Sequence, residues 1–295
     1  MATPIATEKS AMRDAEPFPT VVDVDDRQLK ASHRALWASG DYPAVAAELI
    51  PDLGPELVRA CGVGPGHRVL DVAAGSGNAA IPAAVIGAVV TASDLTPELL
   101  EAGRVIAADR NIELEWVEAD AEEMPFADNS FDFVMSCVGA MFAPHHQAVA
   151  DELIRVCRPD GTIGMINWTP DGFIGAMFAT IEPYAPPLPP GATASPMWGD
   201  EAHVRKLFGD RVTDLQMQRQ VVVMDHSVTP LDFREYWKRN YGPIIAAYRF
   251  NDEKPDRAVE LDARFLVFLE RSNQSPVLGR TDYPAEYLLV TAVKQ

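Results

Sequence analysis

From about residue 68 onward, short apolar runs alternate with longer stretches whose apolar residues recur at helical spacing. The runs are Arg68 to Val72, Val89 to Ser93, Ile112 to Glu118, Phe131 to Cys137 and Thr162 to Asn167, the last preceded by the amphipathic stretch Gln147 to Val156. Short, nearly continuous apolar runs separated by helices predict strands buried on both faces, and this βα alternation predicts an α/β fold around a doubly wound, mostly parallel sheet. Helical patterns around Asp26 to Ala38 and Ala44 to Cys61 come before the first strand. After Trp168 the alternation breaks. Residues 183–197 carry prolines at short intervals and cannot form a regular helix, because proline has no amide donor; a semi-rigid loop over the ligand edge of the sheet is expected. Asp200 reads as the N-cap of a helix through Phe208, and strand patterns at Leu215 to Met224 and Tyr287 to Val293 flank helical stretches at Pro230 to Arg249 and Arg257 to Ser272.

These elements divide one catalytic domain into segments. Residues 1–25 mix proline, threonine and acids without periodicity and are expected to be disordered. A helical cap over 26–62, an α/β core over 63–170, a lid and helix over 171–214, and edge strands with inserted cap helices over 215–295 complete the expectation.

The strongest chemical signal is the stretch Val69 to Ala80, an apolar strand running into Ala73-Ala74-Gly75-Ser76-Gly77-Asn78, followed by the isolated Asp94. Small residues and two glycines let the backbone turn tightly against a ligand, and a helix N-terminus beyond them receives an anionic group. Asp94 ends the next apolar run, where a carboxylate can accept hydrogen bonds from two ribose hydroxyls, so the pair predicts an adenosine-containing cofactor. The dinucleotide fingerprint is also satisfied loosely, since Asp94 lies 17 residues past Gly77. Two acids favour S-adenosylmethionine over a nicotinamide dinucleotide. Asp71, just before the loop, would crowd a pyrophosphate but suits the ammonium of a methionine moiety, and Asp120, after the third run, could accept from an adenine amino group. Each acid also has a purely structural reading, as a helix cap or a local turn.

With Leu70-Asp71-Val72-Ala73-Ala74-Gly75-Ser76-Gly77, Ser93-Asp94-Leu95, Ala119-Asp120-Ala121-Glu122-Glu123-Met124-Pro125-Phe126, Ser130-Phe131-Asp132 and Arg158-Pro159-Asp160-Gly161 in this order, the chain resembles the class I S-adenosylmethionine-dependent methyltransferases. The likeness is greatest to the type 11 group that includes ubiquinone/menaquinone C-methyltransferase-like enzymes. It covers roughly residues 30–170 and implies a seven-stranded Rossmann-like sheet whose last two strands are antiparallel. It further implies S-adenosyl-L-methionine as cofactor and S-adenosyl-L-homocysteine as product. By the same resemblance Asp71, Gly75 and Gly77 would surround the methionine part, Asp94 the ribose, and Asp120 and Ala121 the adenine. Ala73, Asn78, Leu95, Cys137 and, from the N-terminal side, Trp37 complete the cofactor-facing set. At Ala73 the fuller pattern often has glycine.

Composition narrows the acceptor. A net charge of −18 without a run of Lys or Arg argues against nucleic acid, so a small apolar or aromatic molecule is expected. Cys61, Cys137 and Cys157 lack metal-ligand spacing and a disulfide-type even count, which points to a reducing, cytoplasmic setting. The longest uncharged apolar stretch, Ala79 to Ala92, is too short to span a bilayer, so no membrane insertion is expected. No metal is expected either, since His145 and His146 are adjacent rather than three or four apart.

Ligands bind at the carboxyl ends of parallel strands, which directs attention to the loops after Cys137 and Asn167. His145 is the candidate general base, against the plainer reading of a solvated turn. Phe142, His146, Trp168, Tyr184, Trp198, Trp237 and Tyr241 are candidates for lining the acceptor pocket, with ordinary packing between cap and sheet as the alternative. Pro183 to Met197 is expected to close that pocket. Two other functions fit the same pattern: hydride transfer with a nicotinamide cofactor, and a methyltransferase-like scaffold that keeps its cofactor structurally while serving cyclisation or recognition.

Overall fold

The computed structural model describes residues 22–295. Three helices precede the sheet: α1 (Val22–Trp37), α2 (Tyr42–Leu49) and α3 (Leu53–Cys61). The expected helix at Ala44 to Cys61 is two helices because Pro51 biases Ile50 out of the helical region, and α2 ends at Leu49. Gly62 then closes α3 in the left-handed conformation, φ 74°, with Val63 N–H donating back to Val58. The expectation of disorder over residues 1–25 falls mostly outside the described residues, and α1 is already under way at Val22.

The core follows as β1 (Arg68–Val72), α4 (Ala80–Val85), β2 (Val89–Asp94), α5 (Pro97–Asp109), β3 (Glu115–Glu118), β4 (Phe131–Cys137), α6 (His146–Val156) and β5 (Cys157–Trp168). Then come α7 (Phe173–Ile181), α8 (Glu201–Phe208), β6 (Val212–Met224), α9 (Pro230–Asn240), α10 (Gly242–Arg249), α11 (Pro255–Ser272) and β7 (Tyr283–Lys294). The seven strands lie in the order β3-β2-β1-β4-β5-β7-β6, parallel except for β7, which runs antiparallel to both neighbours. Val69, Leu70, Val134, Ile163 and Met165 in the middle strands are fully buried, as continuous apolar runs require.

Asp200 caps α8 as its sequence predicts, accepting a 2.8 Å hydrogen bond from His203 N–H. Pro230 to Arg249 is not one helix. Pro243 has no amide donor and its ring would strike the carbonyl of Arg239, so the chain breaks at Tyr241 and restarts as α10. That break presses Gly242 against α1, where a Cβ would lie 2.5 Å from the Leu36 carbonyl oxygen. In the cap, Phe233 and Phe173 stack on either side of Tyr283, at centroid distances of 4.5 and 4.9 Å, which fixes α9 and α7 over β7.

Candidate active site

Adjacent strands β1 and β4 are where the strand order reverses, and their carboxyl ends open the crevice in which such sheets bind ligands. Both strands leave the sheet through unusual backbone. Ala73 takes φ 53° and Val138 φ 52°, a region that L-residues rarely occupy and β-branched ones least of all. Ala73 fits because its neighbour is Gly139, where a Cβ would lie 2.1 Å from the Ala73 carbonyl oxygen. The missing glycine at position 73 is thus offset by one at 139. Gly75 follows with φ 57°.

The cavity at this crevice encloses about 710 Å³ including its open mouth. Ala73, Gly75 and Asn78 of the loop, Asp94 and Leu95 after β2, Asp120 and Ala121 after β3, Cys137 of β4, and Trp37 of α1 all lie on its wall, together with Phe142. Asp94 is oriented by two backbone amides, Gly75 N–H donating to Oδ2 and Thr96 N–H to Oδ1, both at 2.8 Å. Each oxygen keeps a second lone pair, so the turn-forming role coexists with room for two ligand hydroxyls. Burial raises the Asp94 carboxyl pKa against the pull of those amides.

Asp71 behaves as a helix cap, accepting 2.8 Å from Ala80 N–H at the start of α4. Its other oxygen is buried without a partner, and burial pushes the carboxyl up to about 7. Asp71 does not reach the cavity wall among the described residues. Gly77 does not either: it takes φ 92°, which favours glycine, and a Cβ there would lie 2.9 Å from the Trp116 ring, so both the turn and the packing call for glycine. The loop, the paired acids and the orphaned carboxylate oxygen of Asp71 together fit an adenosine cofactor with a cationic amino-acid tail.

Several wall residues escaped the sequence reading, among them Val138 and the two polar residues Lys30 and His33. Lys30 and His33 stand on the cavity-facing side of α1 with Trp37, and the helical spacing of 30, 33 and 37 around an already suspected Trp37 was the available signal. Lys30 Nζ lies 3.1 and 3.0 Å from the two Asp120 oxygens and also contacts Glu122. Burial, then the Lys30 charge, lower the His33 pKa, so its ring is neutral near pH 7.

A second, tightly packed cavity, about 310 Å³ counting all space between its wall atoms and its opening, adjoins the first and shares Tyr42, Val138 and Phe142 with it. Trp168, Trp237 and Tyr241 line it, with Val45, Leu49, Ile50, Ile174 and Met224. Trp37 packs edgewise on Tyr42, Phe142 and Tyr241 at 5.5, 4.7 and 5.9 Å. The Trp237 Nε1–H is buried with no partner. Burial raises the pKa of both the Tyr42 and Tyr241 phenols, so these remain neutral.

Several expected residues lie elsewhere. His145 opens α6, and Glu122 takes both its ring Nδ1, at 2.8 Å, and its backbone N–H, at 2.7 Å; it lines neither cavity. His146 is buried on the other side of that turn, 3.0 Å from His203 and tilted against Trp198. Trp198 packs under the end of β5, where a Cβ on neighbouring Gly199 would lie 2.2 Å from the Trp168 carbonyl oxygen. Tyr184 is held among Arg257, Arg264 and Asn251. The proline segment is tied to Pro144, a residue of the first wall, by Thr193 N–H and to Arg257 through the Pro183 carbonyl, and itself contributes to neither cavity wall. Asp26, Glu122 and His145 bring three ligand-type atoms within 4.8 Å of one another, and Lys30 already supplies positive charge to Glu122 there.

Residues 70–165 match the family described as a methyltransferase domain. An uncharacterized protein of Mycobacterium tuberculosis is 50% identical over 271 residues, covering 92% of this chain and 97% of its own. The chain belongs to the class I S-adenosylmethionine-dependent methyltransferases. A demethylmenaquinone methyltransferase of a Mycobacterium species is 40% identical over 108 residues, but these are 37% of this chain and 44% of that one. Among solved structures, the YcgJ protein of Bacillus subtilis superposes with a TM-score of 0.54 at 16% identity, over 82% of this chain and 97% of its own, a likeness of fold.

Proposed function

We propose that this chain transfers a methyl group from S-adenosylmethionine to a small apolar or aromatic acceptor held in the second cavity. The observation that carries this reading is the contiguity of the two cavities through Tyr42, Val138 and Phe142. When bound, S-adenosylmethionine supplies a methyl group already activated on a sulfonium. Asp94 would hold the ribose, Asp120 the adenine side and Gly75 the loop-facing part of the cofactor, while the unpartnered Asp71 oxygen would attract the ammonium through the loop.

The remaining work is alignment and exclusion of water. Tyr42, Phe142 and Val138 form the shared wall across which the acceptor atom must face the methyl group. Trp168, Trp237 and Tyr241 supply flat apolar contact, and the orphaned Trp237 N–H offers one hydrogen bond to an acceptor oxygen. No imidazole or carboxylate lines the second cavity among the described residues, and its two phenols stay protonated. The acceptor must therefore react from a lone pair or an already ionised atom, any proton leaving to solvent, and His145 serves as an anchor for Glu122.

A cytoplasmic setting belongs to the same reading, supported by three buried free cysteines. None of the described helices is long and apolar enough to cross a membrane. The test is calorimetry with S-adenosylhomocysteine, followed by labelled-methyl transfer to a panel of apolar and aromatic small molecules with mass analysis of products. Micromolar binding and a labelled product are expected. Absence of binding, or displacement by NADH at comparable affinity, overturns the reading.

A further inference from the structure

The sheet ends at β6, and among the described residues nothing pairs with the outer edge of that strand. Its first part is blunted by a bulge between Thr213 and Gln216, where Asp214 takes φ 49°. From Gln216 to Met224 the ladder to β7 is unbroken, so the outer edge there presents a regular row of backbone donors and acceptors. Arg219 is the one charged residue in this stretch, and no proline interrupts it, so the devices that commonly guard an edge strand are nearly absent. Side chains alternate across a sheet, which puts Arg219, Val221 and Val223 on one face. The two valines are 55 and 48% exposed, on a chain of net charge −18.

A second copy of the same strand can extend the sheet across this edge, antiparallel and related by a two-fold axis perpendicular to the sheet. Facing residues then share a face, and the register is fixed by the residue on the axis. With Val222 there, Val221 of each copy faces Val223 of the other, and Arg219 faces Asp225 just beyond the strand. Centring on Val221 would set Arg219 against Val223, and centring on Val223 would set Val221 against Asp225. Of the three, only the Val222 register matches apolar with apolar and cation with anion. Arg219 holds Glu286 at 2.9 Å and Asp225 holds Arg280 at 2.6 Å, both in partly exposed pairs. Cross-pairing would join them into a row of alternating sign. We propose that the outer edge of β6 is a homodimer interface in which two copies pair about Val222, joining two seven-stranded sheets into one. This contact is independent of the acceptor.

Sedimentation equilibrium on the full chain should give a dimer at micromolar concentration, and hydrogen exchange of the Gln216 to Met224 amides should slow as concentration rises. Val221→Lys combined with Val223→Lys sets like charges opposite each other and should weaken the dimer by about a hundredfold or more, with circular dichroism unchanged. Arg219→Asp alone and Asp225→Arg alone should each weaken it about tenfold, and the two together should restore it. Positions 219 and 225 lie roughly 20 Å apart along one strand, and the clashes with Glu286 and Arg280 persist in the double reversal, so such a rescue must cross between chains. A dimer that survives both lysines, or a double reversal without rescue, overturns the proposal. So does a monomer, whether its β6 amides exchange freely or are protected at every concentration, the latter meaning that another segment of the same chain covers the edge.

Discussion

The two cavities meet at Tyr42, Val138 and Phe142, yet they are built by different rules. The cofactor side is made of strand ends: Ala73, Asp94, Asp120 and Cys137 each follow or close a parallel strand, and backbone amides set the orientation of Asp94. The proposed acceptor side gathers residues from α2, β5, α7, β6, α9 and the Tyr241 break between α9 and α10, beside the shared Val138 and Phe142. One wall is specified by local backbone geometry and the other by tertiary packing. The first should therefore respond to substitution through ligand affinity, the second through stability and acceptor shape.

The largest expected effect is on the packed side. Trp237→Ala removes a ring that is 2% exposed and packs on Tyr241 at 4.7 Å and Phe233 at 5.6 Å, and should cost about 3–5 kcal/mol of stability. Chemical denaturation measures that loss, and S-adenosylhomocysteine affinity should stay within about twofold of wild type under conditions where the variant is folded. A parallel loss of cofactor affinity would erase the distinction between the two walls.

Asp94→Ala should act in the opposite way. Losing a charged acceptor aimed at the ribose should weaken S-adenosylhomocysteine binding by about 1.5–3 kcal/mol in calorimetry. A smaller loss of stability, about 1–2 kcal/mol, should accompany it, because the Gly75 and Thr96 amides lose their acceptor. Unchanged affinity would remove Asp94 from the site.

A pH experiment sharpens the comparison next. His146 is held neutral down to about 4 by burial and by the nearby His203, whereas an unfolded histidine protonates near 6.5. Its contribution to stability is whole above about 6.5 and is lost as pH falls through about 4, by up to about 3 kcal/mol. Asp71 has the reverse sign: its carboxyl, raised by burial to about 7, favours the fold at low pH and loses that contribution as pH rises towards 7. The two slopes oppose each other between pH 4 and 6.5, so the readout is the difference between wild type and His146→Gln. That difference should grow in favour of the variant on acidification; a pH-independent difference would show that the ring protonates freely in the fold.

The smallest effect concerns the proline segment. Replacing residues 185–194 with a Gly-Ser linker of equal length should lower the melting temperature by a few degrees through the entropy regained by the unfolded chain, with cofactor affinity and acceptor KM nearly unchanged. A several-fold rise in acceptor KM would instead make the segment a lid.

The same contrast explains what was legible beforehand. Parallel strands buried on both faces leave an apolar run in the sequence, and loop residues that must turn or bind stand next to it, so Gly75, Asp94 and Asp120 could be read in order. Gly77 reads ambiguously, because a glycine that admits a ligand, one that turns the loop and one that admits the Trp116 ring look alike in sequence. Helix ends at Ile50 and Tyr241 were missed although Pro51 and Pro243 marked them, since the apolar periodicity runs straight through both. On the acceptor side Trp168, Trp237, Tyr241 and Phe142 were separated from Trp198, Tyr184 and His146 only by which face of an element each occupies. That depends on the packing of α7, α9 and α10 against the sheet, and no local pattern carries it.

Val138 stands in both walls with a left-handed backbone, a conformation costing on the order of 1–3 kcal/mol for a β-branched residue. Glycine there would recover that cost and forfeit the burial of an isopropyl group, roughly 1.5–3 kcal/mol. These nearly cancel, so selection for thermal robustness is almost blind to this position. Under the proposed function, selection on the acceptor is not, because a change of side chain there reshapes both cavity walls at once. In a directed-evolution campaign, Val138→Gly is therefore a change that opens both walls at little cost to the fold.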